Sequence, residues 1–324
     1  MWLRRTLLGA GAALLAAPGI RAQEAAYPNR PVRIVVAFPA GGSVDIVARL
    51  FGAELTRRLG QPFVVDNRSG AGGVVGTEFV AKAPSDGYTL LMAGAGPIVT
   101  SPALNSTMPF DSRRDLTPIT LIALQPNMLI VHPSLPVQTV QEFIAYARAN
   151  PGRINYATAG IGSSQHLSAE AFALRAGVRM THIPYRGGAP GLSDLIAGQV
   201  QAMFETIPTA LPVVRSNQAR ALAVTTLNRS SSIPELPTVS ESGLPNYEMR
   251  GWLGLLAPGS LPAPLVATLD RHVREIMGLP EIVSRLVSLG LELTPSTPAS
   301  FSAFLDREME TNRAIVTAAN ITLN

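Results

Sequence analysis

Apolar positions along the chain follow two rhythms. Short runs rich in Val, Ile, Leu and aromatics occur at Val32–Phe38, Phe63–Asn67, Thr89–Met92, Ile119–Leu124, Met128–His132, Asn155–Thr158, Met180–Tyr185, Val200–Glu205 and Ala221–Thr225. Between most of them, apolar residues recur three and four apart, as in Val44, Val47, Phe51 and Leu55. The first rhythm predicts strands and the second amphipathic helices. Their alternation predicts βαβ units and parallel sheets.

Local punctuation sharpens the helices. Thr139-Val-Gln-Glu142 reads as a capping box ahead of a helix that stops before Asn150-Pro151-Gly152. Pro190 fits the first turn of a helix ending at Gly198. Thr297-Pro298 opens a C-terminal helix with Phe301, Phe304 and Leu305 on one face.

Two segments echo each other. Val36-Ala-Phe-Pro-Ala-Gly-Gly-Ser43 and Tyr156-Ala-Thr-Ala-Gly-Ile-Gly-Ser163 each join a strand, a glycine loop and a serine ahead of a helix. Gly41 and Gly42 let backbone N–H groups approach a ligand, and Ser43 is a suitable N-cap. The helix end adds unpaired donors and a partial positive charge, the elements of an anion site. Asp45, in that first turn, competes with a bound anion. One such loop per domain would place two helix ends across a shared cleft. Extended runs near Leu124–Met128 and Tyr247–Leu253 are the expected crossings between domains.

Composition then bounds the class. The chain has 324 residues, enough for two domains. Met1–Ala22 carries Arg4 and Arg5, an apolar run and a polar end, the form of an export signal cleaved after Ala22. Arg4-Arg5 also fits a twin-arginine signal. The formal charge of +4 includes three arginines and no acid from those 22 residues, so the mature chain carries +1. No clustered basic face suggests nucleic acid. With no cysteine there is no disulfide and no thiol for a lipid.

Enzyme and cofactor signatures are thin. The loop Asn67-Arg-Ser-Gly-Ala-Gly-Gly-Val-Val-Gly76 lacks the last glycine of a dinucleotide fingerprint, because Val75 stands there. The four histidines have no metal-ligand spacing. Ser163, Ser164 and His166 form a nucleophile-and-base grouping. Tyr185-Arg186-Gly187-Gly188 leads from a strand into a helix, and Glu205 ends a buried strand, where α/β sheets face their ligands.

The ordered set Pro28-x-Arg30-Pro31, Phe38-Pro39-x-Gly41-Gly42-x-x-Asp45, Asn67-Arg68-x-Gly70-Ala71-Gly72-Gly73, Asp86-Gly87-Tyr88, Pro184-Tyr185-Arg186-Gly187 and Leu236-Pro237-Thr238-Val239-x-Glu241-x-Gly243-Leu244-Pro245 carries a resemblance across the mature chain. So do Gly198-Gln199-Val200 with Met203-Phe204, and Ala221-Leu222-Ala223-Val224-Thr225. The chain closely resembles the periplasmic substrate-binding proteins of tripartite tricarboxylate transporters, the Bug family. The resemblance implies an α/β, two-domain, flytrap-like periplasmic binding fold, each domain a mixed, mainly parallel sheet flanked by helices. The expected boundaries are a signal peptide over 1–22, a first domain of 27–125 plus 249–324, and a second of 126–248.

The resemblance also implies a small carboxylate, no cofactor or metal, a monomeric receptor and delivery to a membrane permease. It places the ligand at Phe38, Pro39, Ala40, Gly41, Gly42 and Asp45, with Ser163 and Ser164 facing them. Ala93 and Gly94 stand where many relatives carry hydroxyl side chains, and Glu205-Thr206 stands where many carry Asp-Asn. Tyr185, Ala93, Gly94 and Glu205 complete the expected site. The alternatives are a periplasmic serine hydrolase using Ser163 or Ser164, and a ligand-sensing module for a signalling receptor.

Overall fold

The computed structural model describes residues 27–105 and 107–322; the expected signal peptide lies outside them. In chain order the strands are β1 (Val32–Val36), β2 (Phe63–Asn67), β3 (Thr89–Gly94), β4 (Leu116–Val131), β5 (Asn155–Thr158), β6 (Thr181–Pro184), β7 (Ala202–Thr206), β8 (Arg220–Val224), β9 (Arg250–Pro258) and β10 (Glu292–Leu293). The helices are α1 (Ser43–Leu59), α2 (Val74–Ala81), α3 (Ser101–Leu104), α4 (Val140–Ala149), α5 (Ser164–Ala176), α6 (Gly188–Ile196), α7 (Ile207–Arg215), α8 (Ala263–Met277), α9 (Pro280–Ser288) and α10 (Pro298–Ala318). A π-helical turn, Gly96–Thr100, precedes α3.

The strands run in the order β2-β1-β3-β9-β4-β7-β5-β6, with β8 and β10 also on β4. Pairing is parallel towards the two ends, β1 with β2 and β3, and β5 with β6 and β7. It is antiparallel in the middle, where β9 joins β3 to β4 and β4 meets β7 and β8. Side chains alternate between faces. Ile34 and Val36 of β1 enter the core against α1 and α8, while Val35 enters the opposite core with Trp252 and Phe301. Beyond the middle, Leu129 and Val131 of β4 pack with Phe143 and Phe172, while Met128 and Ile130 pack with Leu195 and Leu211. Both faces are covered, which is why these strands read as unbroken apolar runs.

Two expectations change here. The expected strands Ile119–Leu124 and Met128–His132 merge into one, β4, which ends at Val131. Pro126 does not end it, because there β4 exchanges partners: Pro126 lies opposite Arg250 of β9, and Asn127 opposite Thr206 of β7. The run near Tyr247–Leu253 enters a strand missing from the sequence reading, since from Arg250 it is β9, which pairs along both β3 and β4.

The C-terminal helix follows its punctuation. Thr297 and Ser300 form a reciprocal capping box, and Phe301 and Leu305 are buried. At α4, Thr139 accepts from the Glu142 N–H at 3.1 Å, but the Glu142 carboxylate reaches back to Gln138 N–H rather than to Thr139.

Candidate functional site

The loop after β1 is built around Asp45. Its Oδ2 accepts from Gly41 N–H and from Arg49 Nε, each at 3.0 Å, and its Oδ1 accepts from Asn67 Nδ2 at 2.9 Å. Asn67 Nδ2 also donates to the Phe38 carbonyl at 3.0 Å, which ties β2 to the loop. Burial pushes the Asp45 carboxyl up, but these hydrogen bonds outweigh it and hold the group below the usual carboxylate range. Its charge is therefore spent on Arg49 and the loop, and does not confront an anion ahead of the helix. Gly41 has a φ of +86°, the left-handed conformation that glycine tolerates.

Gly42, not Ser43, is the N-cap of α1; its φ of −78° and ψ of 165° supply the extended cap geometry, and no side chain caps the helix. The first N–H groups of α1 are thus without side-chain partners among the described residues. Ser163 caps α5, accepting from His166 N–H at 3.3 Å. The helix ends of α1, α5, α6 and the π-helical turn converge on one cleft, lined by Phe38, Pro39, Gly42, Gly94, Ser163, Ser164 and Glu205 among the expected residues. Sequence reasoning missed Ser43, Val44, Ala95, Gly96, Gln125, Ala159, Gln165, Gly188, Ala189 and Gly251. The cleft encloses a small cavity, with room for about three to five waters.

The other expected residues are close by but outside the lining. Ala40 and Gly41 are exposed, and the Gly41 N–H is committed to Asp45. Ala93 is buried in the core shared with Trp252. Tyr185 donates to Asp194 at 2.6 Å, away from the cleft wall. Arg186 is exposed.

Among the described residues, no Lys, Arg or His lines the cleft. Among the described residues, two buried polar atoms of lining side chains have no partner, Nε2 of Gln125 and Oε2 of Glu205. Glu205 is 1% exposed. Its Oε1 accepts from Thr206 N–H and Thr206 Oγ1 at 2.8 Å and from Thr209 Oγ1 at 2.6 Å, with Gln165 Nε2 at 3.5 Å. Burial pushes its carboxyl above the usual range, against those hydrogen bonds.

Behind the α5 loop lies a stack of rings. His166 and His182 are 4.0 Å apart and nearly parallel, and Tyr156 stacks on His182. His166 Nδ1 accepts from Gly162 N–H, and His182 Nε2 meets Thr158 Oγ1 at 2.7 Å. Burial, with His182 beside it, lowers His166 to about 3; burial lowers His182 to about 4. Both rings titrate near 6.5 when unfolded. The unfolded chain therefore binds more protons, and stability falls as pH drops from about 6.5 towards these values. Urea melts at pH 8, 6 and 5 check this. His182→Phe keeps a ring in the stack and is expected to flatten the slope; an unchanged slope would count against the assignment.

The glycine loops also bring distant segments into contact. A Cβ on Gly187 would lie 2.6 Å from Pro39 Cδ, and one on Gly72 would lie 2.9 Å from the Ile161 carbonyl. Only glycine allows these approaches between the β1 and β5 sides of the cleft.

Residues 47–321 match the family model described as the tripartite tricarboxylate transporter family receptor. The chain belongs to this family. It is 36% identical to protein BugT of Bordetella pertussis over 91% of this chain and 92% of BugT. Among solved structures it is similar to R. palustris Rpa4515 with adipate, with a TM-score of 0.90 and 37% identity over 91% of this chain and 99% of that one. It is also similar to MatC from Rhodopseudomonas palustris with bound malate, with a TM-score of 0.85 and 32% identity over 90% of this chain and all of that one. The fold is the two-domain α/β fold of periplasmic solute-binding proteins.

Proposed function

We propose that this receptor takes up a small carboxylate from the periplasm in the cleft between β1–α1 and β5–α5, and hands it to the permease of a tripartite tricarboxylate transporter. The observation that carries the reading is the cleft's charge pattern. Several helix N-termini open into it, while among the described residues no cationic side chain lines it. Backbone dipoles and N–H groups hold an anion without a fixed counter-charge. Relatives at 37% and 32% identity were solved with adipate and malate, both carboxylates.

The change of partners along β4 supports the expected domain division. Residues 27–125 plus 249–324 would move as one body and 126–248 as the other, hinged where β4 changes partners. Export would remove residues 1–22, and the mature chain would act as a monomer. The hydrolase reading finds little support, because Ser163 Oγ serves the His166 N–H and His166 Nδ1 faces Gly162. A thermal-shift screen of small carboxylates tests the proposal. A true ligand at 100 times its Kd should stabilise the protein by about 2.7 kcal/mol. A screen without a single stabilising carboxylate overturns it. Loss of carboxylate uptake on deleting the protein separates carrier from sensor.

A further inference from the structure

A carboxylate explains the helix ends but leaves Glu205 unexplained. Among the described residues, the lining side chains hold two unpartnered buried atoms of opposite kind, a donor at Gln125 Nε2 and an acceptor at Glu205 Oε2. An unsatisfied polar group held out of water is costly, and more so when charged. The surroundings of Glu205 divide its two oxygens sharply. Oε1 is surrounded by donors from Thr206, Thr209 and Gln165. Oε2 is buried without a partner beside Gly188, where an added Cβ would sit 2.5 Å away, so only glycine at that position leaves space next to the oxygen.

Among the described residues, the lining supplies no cation to balance this group. A dicarboxylate would place a second anion in a cleft that already holds a buried acid. A molecule carrying both a carboxylate and an ammonium group matches every element at once.

We infer that the ligand is a small amino acid-type zwitterion, its carboxylate held by Gln125 Nε2 and the α1 and α5 helix ends, and its protonated amine accepted by Glu205 Oε2. This rests on the carboxylate reading and adds the ligand's other pole. Burial raises the Glu205 carboxyl, so an ammonium partner would also restore its charge. The residue has a counterpart in chemistry rather than in catalysis: it selects the ligand and transforms nothing.

The test is calorimetry on the mature chain with matched pairs that differ by one amine: alanine and propionate, 2-aminobutyrate and butyrate, 4-aminobutyrate and butyrate. Adipate and malate are included. At least one amine-bearing acid is expected to bind about 100-fold more tightly than its partner without the amine, because a site built for a donor is left unpaired by an analogue lacking it. Glu205→Gln keeps the shape and removes the charge, and is expected to shrink that preference to less than about tenfold, while its circular dichroism stays that of the parent. Should Glu205→Gln fail to fold, the parent's own preference still decides.

Carboxylates that bind equally well with and without the amine overturn the inference and leave the carboxylate reading standing. So does a hydroxy acid or dicarboxylate that matches the best amine. A panel in which no carboxylate binds overturns both.

Discussion

Gly42→Val is expected to abolish most ligand binding and to leave the fold intact. Gly42 caps α1 in extended geometry that valine adopts readily. A Cβ there meets nothing closer than the Pro39 carbonyl at 3.7 Å, so the protein itself has room for a side chain. That room is part of the cleft. Valine would stand in front of the first N–H groups of α1 and keep a carboxylate from reaching them. An affinity loss of at least about 100-fold, about 2.7 kcal/mol, is expected. The melting temperature without ligand should stay close to that of the parent. Calorimetry and a thermal melt on the same preparation check both. Parent-like affinity would mean that the β1–α1 loop is only a turn.

Phe301→Ala should do the opposite, removing stability without touching the cleft. Phe301 is fully buried on α10 and meets Trp252 of β9 edge-on, with ring centres 5.6 Å apart. Its ring also fills the space left by the missing side chain of Gly254. Helix α10 thus clamps β9, the strand that joins β3 to β4. Truncating a buried phenylalanine costs about 3–5 kcal/mol, and the stack with Trp252 is lost with it. Urea unfolding measures the change. A loss below about 1 kcal/mol would show that the core collapses around the gap or that α10 contributes little.

The sequence carried the two glycine loops and the acid at the end of β7 clearly. Each lies where a short apolar run meets a helix, and the structure brings Gly42, Ser163, Ser164 and Glu205 to one cleft. The role of Asp45 was not legible. Its three partners include Asn67, which lies 22 residues along the chain, so its charge looked free when it was not. Gln125 was missed for a related reason. Gln125-Pro126 reads as a strand break, since proline cannot donate to a ladder. In the fold β4 runs through it, changing partners at that point, and this places Gln125 in the cleft.

Trp252–Ala257 hid a long antiparallel strand because the alternation of strands and helices elsewhere argues for parallel pairing. Which strand lies beside β3 and β4 is a non-local choice, made by the packing of Trp252 against Phe301 and of Leu253 against the opposite core. Gly188 and Gly251 carry no chemistry of their own, and only their position at the cleft wall gives them a role.

The central claim is that a carboxylate is recognised by the helix ends and not transformed. Calorimetric titration of the mature chain with the best carboxylate and with its primary amide tests it most directly, with the recovered ligand analysed afterwards. The amide keeps the shape and loses the negative charge. One site, an unchanged ligand on recovery and an amide at least about 100-fold weaker are expected, since hydrogen bonds to a charged acceptor contribute about 1.5–3 kcal/mol each. An amide that binds as tightly as the acid, or one that is hydrolysed steadily, would contradict it.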